Sequence, residues 1–168
     1  KAKSLPGVVI RVARQGKLVY SNAIGWQDIE SNIPMSQDSI FRIYSMTKPI
    51  VSVAAMTLVE SGMLSLSDPV SKYLPLFKEV QVGIETVNSD GLALLQTKKA
   101  RKQITIQDLM RHTSGLTYGP FGKKTLVKEK YLAANLRSLD WTLEDYANTL
   151  AGLPLAYEPG STWDYGRS

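Results

Sequence analysis

Two short apolar runs open the chain, 7–13 (Gly-Val-Val-Ile-Arg-Val-Ala) and 17–24 (Lys-Leu-Val-Tyr-Ser-Asn-Ala-Ile), both rich in β-branched and aromatic residues. Arg14-Gln15-Gly16 between them is a turn signal, so the pattern predicts a β-hairpin. A loop around Asn32-Ile33-Pro34 leads to Phe41-Arg42-Ile43-Tyr44, and there the pattern changes. Ile50, Val51, Val53, Ala54, Ala55, Met56, Leu58 and Val59 fall all round a helical wheel, which predicts a helix buried on most of its surface and stopped by Gly62. Beyond it strand signals fade, and short capped helices are expected. Asp68-Pro69 sets an N-cap residue before a proline at the first helical position. Thr105-Ile106-Gln107-Asp108 and Thr142-Leu143-Glu144-Asp145 fit the capping-box pattern, with Gly115 and Gly152 as stops.

A chain of 168 residues is long enough to bury roughly 70% of its unfolded surface. With 43% hydrophobic and 21% charged residues, it is not disordered, collagen-like or a coiled coil. The net charge of +5 allows weak attraction to anions. The basic runs Lys98, Lys99, Arg101, Lys102 and Lys123, Lys124, Lys128, Lys130 read as solvated surface, since no nucleic-acid motif or aromatic platform accompanies them. No nucleic-acid partner is expected. No membrane span is expected either, because no apolar run reaches the roughly 18 residues needed. Cysteine is absent, which excludes disulfides and thiolate metal sites, and the single histidine, His112, makes a histidine-built zinc site a poor reading. No cofactor or metal is implied, and localisation is not legible in the sequence. The start at Lys1 without methionine, and the end at Ser168 without a polar tail, read as a trimmed or cut chain.

The common catalytic signatures are missing: Gly-x-Ser-x-Gly, His-Glu-x-x-His, the Walker A loop and Gly-x-Gly-x-x-Gly. What remains is Ser45-Met46-Thr47-Lys48, a Ser-x-x-Lys immediately before the most apolar helix. Residues i and i+3 share a helix face, so the Lys48 amine can reach the Ser45 hydroxyl. Pro49 is tolerated only in a first helical turn, which places Ser45 at the helix start. That end of a helix dipole, together with burial, favours an uncharged amine, the base that a serine nucleophile needs. The free N–H groups there can also stabilise an oxyanion. Taken alone, Ser-x-x-Lys is a loose pattern. Tyr165, in Glu158-Pro159-Gly160-Ser161-Thr162-Trp163-Asp164-Tyr165-Gly166-Arg167-Ser168, could shuttle a proton. Beside two aromatics and a Pro-Gly turn, a tyrosine is more often a packed anchor.

Together these residues resemble the serine β-lactamase and penicillin-binding-protein-like hydrolases, closest to class C β-lactamases and family VIII carboxylesterases. The resemblance runs in order through Gly7–Gly25 as the opening hairpin, Phe41–Lys48 as the nucleophile motif, Leu66–Pro75, Ile104–Leu116, and Glu158-Pro159-Gly160 leading to Tyr165. It implies an α+β, β-lactamase/transpeptidase-like fold, in which an antiparallel sheet flanked by helices packs against a mostly helical domain and the site lies between them. Residues 1–66 would form the first part of the sheet domain with the nucleophile helix, and 67–168 the helical domain up to the second motif. The remaining sheet strands would come from a C-terminal continuation or a second chain. The resemblance further implies Ser45 as the acylated nucleophile, Lys48 as its base and Tyr165 as the second proton-transfer group. The Ser45 N–H would be one oxyanion donor, and the other would come from a later strand. His112 is expected to be structural at a helix end, and Asp68 and Asp108 to be caps. The family's Tyr-x-Asn is here Tyr165-Gly166-Arg167, and its Lys-Thr-Gly-type third motif is absent. These departures favour a carboxylesterase acting on small esters. The alternatives are a β-lactamase, a D-amino-acid peptidase or an acyltransferase, and, from another class, a non-catalytic cell-wall or peptide-binding member.

Overall fold

Gln15 and Gly16 take positive φ, 50° and 73°, the two-residue turn whose twist matches that of antiparallel strands. It joins β1 (Gly7–Arg14) to β2 (Lys17–Asp28). The register runs from Gly7 opposite Gly25 to Arg14 opposite Lys17, slipping by one between Val12 and Ala13. A two-residue β3 (Ile33–Pro34) pairs with the far end of β2, giving the order β1-β2-β3. The predicted hairpin is therefore present, with its second strand longer than expected. The computed structural model describes residues 5–120 and 122–168. It divides into two units, Lys1–Lys48 and Pro49–Ser168, and this sheet belongs to the first.

The second unit opens with α1 (Thr47–Glu60), whose first two residues close the first unit. Gly62, at φ 73°, ends it as expected, with its N–H donating to Val59 O at 3.0 Å. Burial of α1 was expected on most of its surface, and the structure corrects this: none of its residues is buried, and Ile50, Val51 and Val53 are 61%, 59% and 66% exposed. A helix apolar on every side needs neighbours on every side, and these residues do not supply them. Only one stripe, Lys48, Ser52, Ala55 and Val59, is half-buried; its spacing of three and four residues is that of a single helix face.

The turn at Asp68-Pro69 differs from the expected capped α-helix. Pro69 is extended, with ψ 139°, and precedes only a 3-10 turn, Val70–Lys72. Asp68 instead accepts hydrogen bonds from Ser65 N, Lys72 Nζ and Tyr73 Oη. A second correction follows it, since an antiparallel hairpin, β4 (Gln81–Val87) and β5 (Ala93–Lys99), occupies a region where the pattern predicts short capped helices. The other edge of β4 is also bonded: Leu155 N donates to Gln81 O at 2.7 Å and Gly83 N to Leu155 O at 2.9 Å.

Three helices complete the unit: α2 (Ile106–Met110), α3 (Leu126–Ala133) and α4 (Leu143–Ala151). Both predicted capping boxes are formed, by Thr105 with Asp108 and by Thr142 with Asp145. Helix α4 ends at Gly152 as expected, whereas α2 stops well before Gly115, where His112 turns the chain at φ 59°. The buried core lies in this unit, centred on Leu155 (0% exposed), Ile104 (1%), Val70 and Leu116. The basic run Lys98, Lys99, Arg101 and Lys102 is exposed as expected, with Lys98 and Lys99 on the end of a strand, whereas Lys128 of the second run departs from that reading, being 7% exposed within α3.

Candidate active site

Ser45 sits in a 3-10 turn, Tyr44–Met46, that runs directly into α1. The turn is closed by Met46 N donating to Ile43 O at 3.0 Å, and by the Thr47 N–H reaching Ser45 O and Tyr44 O. Tyr44, just before the serine, holds φ 46°, a left-handed conformation costing a non-glycine residue about 1–3 kcal/mol. Strain of that size is kept where the backbone must aim a particular group. Ser45 is exposed, and Lys48, one turn on, is half-buried. Proline at residue 49 falls inside the first turn of α1, where no intrahelical N–H bond is lost. The structure thus puts Ser45 and Lys48 on one continuous helical turn. Tyr165 belongs to the second unit.

The backbone around Tyr165 is laid along the segment 112–117. Asp164 N donates to His112 O at 3.0 Å, Gly160 N to Thr113 O at 2.8 Å, and Ala156 N to Gly115 O at 2.8 Å. Side chains reinforce the seam: Thr117 Oγ1 donates to Asp164 Oδ2 at 2.8 Å, and Ser114 Oγ and Ser168 Oγ share a hydrogen bond at 2.6 Å. Ser114 and Thr117 are completely buried. Gly115 takes φ 87°, and a Cβ there would meet Tyr157 O at 2.3 Å. Gly166 is tighter still, since its Cβ would stand 1.9 Å from Leu116 O. The segment 112–117 is therefore the rail on which Tyr165 is mounted.

That rail is anchored by two carboxylates. Asp108, 5% exposed, accepts from Thr105, Thr113 Oγ1 and Arg111 Nη2. Burial pushes its carboxyl up, but the hydrogen bonds from Thr105, Thr113 and Arg111 outweigh it and hold the group below the usual carboxylate range. Glu158 accepts from Arg101 N at 3.0 Å and pairs with Arg101 Nε and Lys98 Nζ at 3.3 and 3.6 Å. The bond from the Arg101 N–H lowers its pKa as well. Asp108 is thus the cap that was expected.

Rings flank Tyr165. Its ring lies 4.8 Å from that of His112, tilted by 49°, and 5.9 Å from that of Tyr118, nearly parallel at 19°. His112 also meets Trp163 edge-on at 6.4 Å, and its Nδ1 accepts weakly from Gly166 N at 3.4 Å. His112 has the expected helix-end position. Its contact with Tyr165, and the involvement of Tyr118 and Arg167, were not legible in the sequence, because the two segments meet only through the tertiary seam. Among the described residues, no cluster of three or more His, Cys, Asp or Glu could hold a metal ion, and no helix is long and apolar enough to cross a membrane.

Comparison with known proteins gives the arrangement a family. The Beta-lactamase family model matches residues 1–167. Protein Rv1367c of Mycobacterium tuberculosis is 37% identical over 98% of this chain and 39% of its own length. Esterase EstB of Burkholderia gladioli is 35% identical over 98% of this chain and 38% of its own. The solved structure of EstCE1, described as a hydrolase with promiscuous acyltransferase activity, superposes with a TM-score of 0.72 at 32% identity, covering 96% of this chain and 39% of that one. This chain therefore spans about two-fifths of the length of these three proteins. Its antiparallel sheets and helices are a portion of the β-lactamase/transpeptidase-like fold, and the chain belongs to the β-lactamase family.

Proposed function

We propose that the whole protein is a serine hydrolase that forms an acyl-enzyme on Ser45 and acts on small esters. The observation that carries this reading is the turn at the head of α1, where an exposed Ser45 precedes a half-buried Lys48 by one helical turn. The Lys48 amine acts as the base that takes the Ser45 proton as Oγ attacks the ester carbonyl carbon. The tetrahedral oxyanion is met by the Ser45 N–H and by a second donor from outside these 168 residues. As the carbon–oxygen bond to the alcohol breaks, the Tyr165 phenol supplies the proton that the leaving alkoxide needs. Water then attacks the acyl-enzyme carbonyl and loses a proton to the Tyr165 phenolate, and the proton held on Lys48 returns to Ser45 Oγ as the bond to the acyl carbon breaks and the acid leaves.

Esters are favoured over lactams because residue 167 is arginine, so no side-chain amide stands there to hold an acylamino group. The similarity to a protein named as an esterase agrees with this. A second reading, acyl transfer to an alcohol in place of water, is favoured by the likeness to EstCE1, whose description includes that activity.

In the whole protein, Ser45→Ala and Lys48→Met should each reduce hydrolysis of p-nitrophenyl butyrate by about a thousandfold or more. The parent should turn this ester over faster than a chromogenic cephalosporin. Retained ester hydrolysis in Ser45→Ala overturns the nucleophile. Faster cephalosporin turnover in the parent overturns the ester preference alone, and an alcohol that diverts product from acid to ester supports the second reading.

A further inference from the structure

We infer that Arg167 is a positioning residue for Tyr165, setting the plane of its ring through Tyr118; this rests on the proton-transfer reading of Tyr165. Arg167 Nη1 donates to Leu136 O at 3.1 Å and to Tyr146 Oη at 3.2 Å, tying the guanidinium to the loop after α3 and to α4. So held, its Cζ stands 4.7 Å from the centroid of the Tyr118 ring and 6.0 Å from that of Tyr146. Tyr118 in turn stacks on Tyr165, whose ring also meets His112. The order guanidinium, Tyr118, Tyr165, His112 is thus a continuous series of ring contacts.

Two features separate this from an ordinary surface arginine. Its Nε is buried and makes no hydrogen bond, and its two hydrogen bonds go to a carbonyl and a phenol. Withdrawing a guanidinium from water without a carboxylate partner has a desolvation cost. A cation over an aromatic face recovers part of that cost, through the ring's negative face. The second feature is Gly166, which lets the backbone press on Leu116 so closely that the side chains on either side of it, Tyr165 and Arg167, are fixed relative to the same rail. Lysine could not replace this arginine, because it lacks the flat fork that bonds in one direction while stacking in another. At the position where the family's asparagine would offer an amide toward substrate, this chain has a side chain committed to its own aromatic stack.

A positioning role and a plain structural staple differ in what they change. Arg167→Met in the whole protein should lower kcat for p-nitrophenyl butyrate by about ten- to hundredfold while KM stays within about threefold. Tyr118→Leu should do the same. In the residual activity of a Tyr165→Phe background, Arg167→Met should change kcat by less than about twofold, since nothing is left to position. Val70→Ala, in the same core, controls for destabilisation and should leave kcat at the parent value. The proposal is overturned if Arg167→Met and Tyr118→Leu lower stability but keep kcat, or if Arg167→Met acts equally in parent and Tyr165→Phe backgrounds. Should Arg167→Met fail to fold, Tyr118→Leu in the two backgrounds decides by the same criteria. Full activity of Tyr165→Phe itself would overturn the reading beneath. A Tyr165→Phe loss with an unaffected Arg167→Met overturns only this inference.

Discussion

Gly166 shows how much one missing side chain can fix. Its amide plane lies against Leu116 and Thr117 so closely that even a methyl group would overlap Leu116 O, at 1.9 Å. Overpacking of this kind typically costs about 1–3 kcal/mol, and the backbone here has no side in which to yield, because residues 114–117 are themselves buried. Gly166→Ala should therefore lower the denaturation midpoint by an amount equivalent to about 3 kcal/mol and remove most ester hydrolysis. An unchanged midpoint in a urea titration would contradict the packing described. From sequence, Tyr165-Gly166-Arg167 showed only a departure from Tyr-x-Asn. That the glycine is a contact and the arginine a clamp depends on residues far away in the chain, which no local pattern reveals.

At the scale of elements, what was legible was local. The two capping boxes, the Gln15-Gly16 turn and the stop at Gly62 each depend on neighbours a few residues away, and each is present. The β4–β5 hairpin was hard to see because Gly83 is a weak strand former and leaves the second face of β4 without a side chain there; a Cβ at that position would meet Val127 Cγ2 at 2.4 Å, so the glycine is what lets α3 pack on the strand. Thr105→Ala should cost about 1 kcal/mol by opening the cap of α2. The carboxylates add a pH dependence. Hydrogen bonds from Tyr73, Lys72 and the Ser65 N–H hold Asp68 at about 2, and Asp108 is also lowered. Carboxyls depressed in the folded state stabilise it fully above the unfolded value of about 4, and this is lost as pH falls through their folded values. Denaturation midpoints should thus fall between about pH 4 and pH 2, less steeply in Asp68→Asn and Asp108→Asn. A variant acid limb as steep as the parent's would contradict the assignment.

Across the whole molecule, the hydrophobic pattern identified α1 as a helix that belongs inside a protein, and these residues leave its apolar sides open. The proposed chemistry is likewise divided, with Ser45 and Lys48 in the first unit and Tyr165 in the second. Spacing alone could suggest the first pair, since they share a helical turn. Tyr165 stands out as a candidate proton shuttle, but only the ordered resemblance of five segments assigns it that role, because nothing in composition distinguishes it from a packed tyrosine. The claim that joins these parts is that Ser45 becomes acylated. Incubating the whole protein with a fluorophosphonate, followed by intact mass and peptide mapping, tests it most directly. The account predicts a single adduct on Ser45 that is absent from Ser45→Ala; no adduct, or one on another residue, would contradict it.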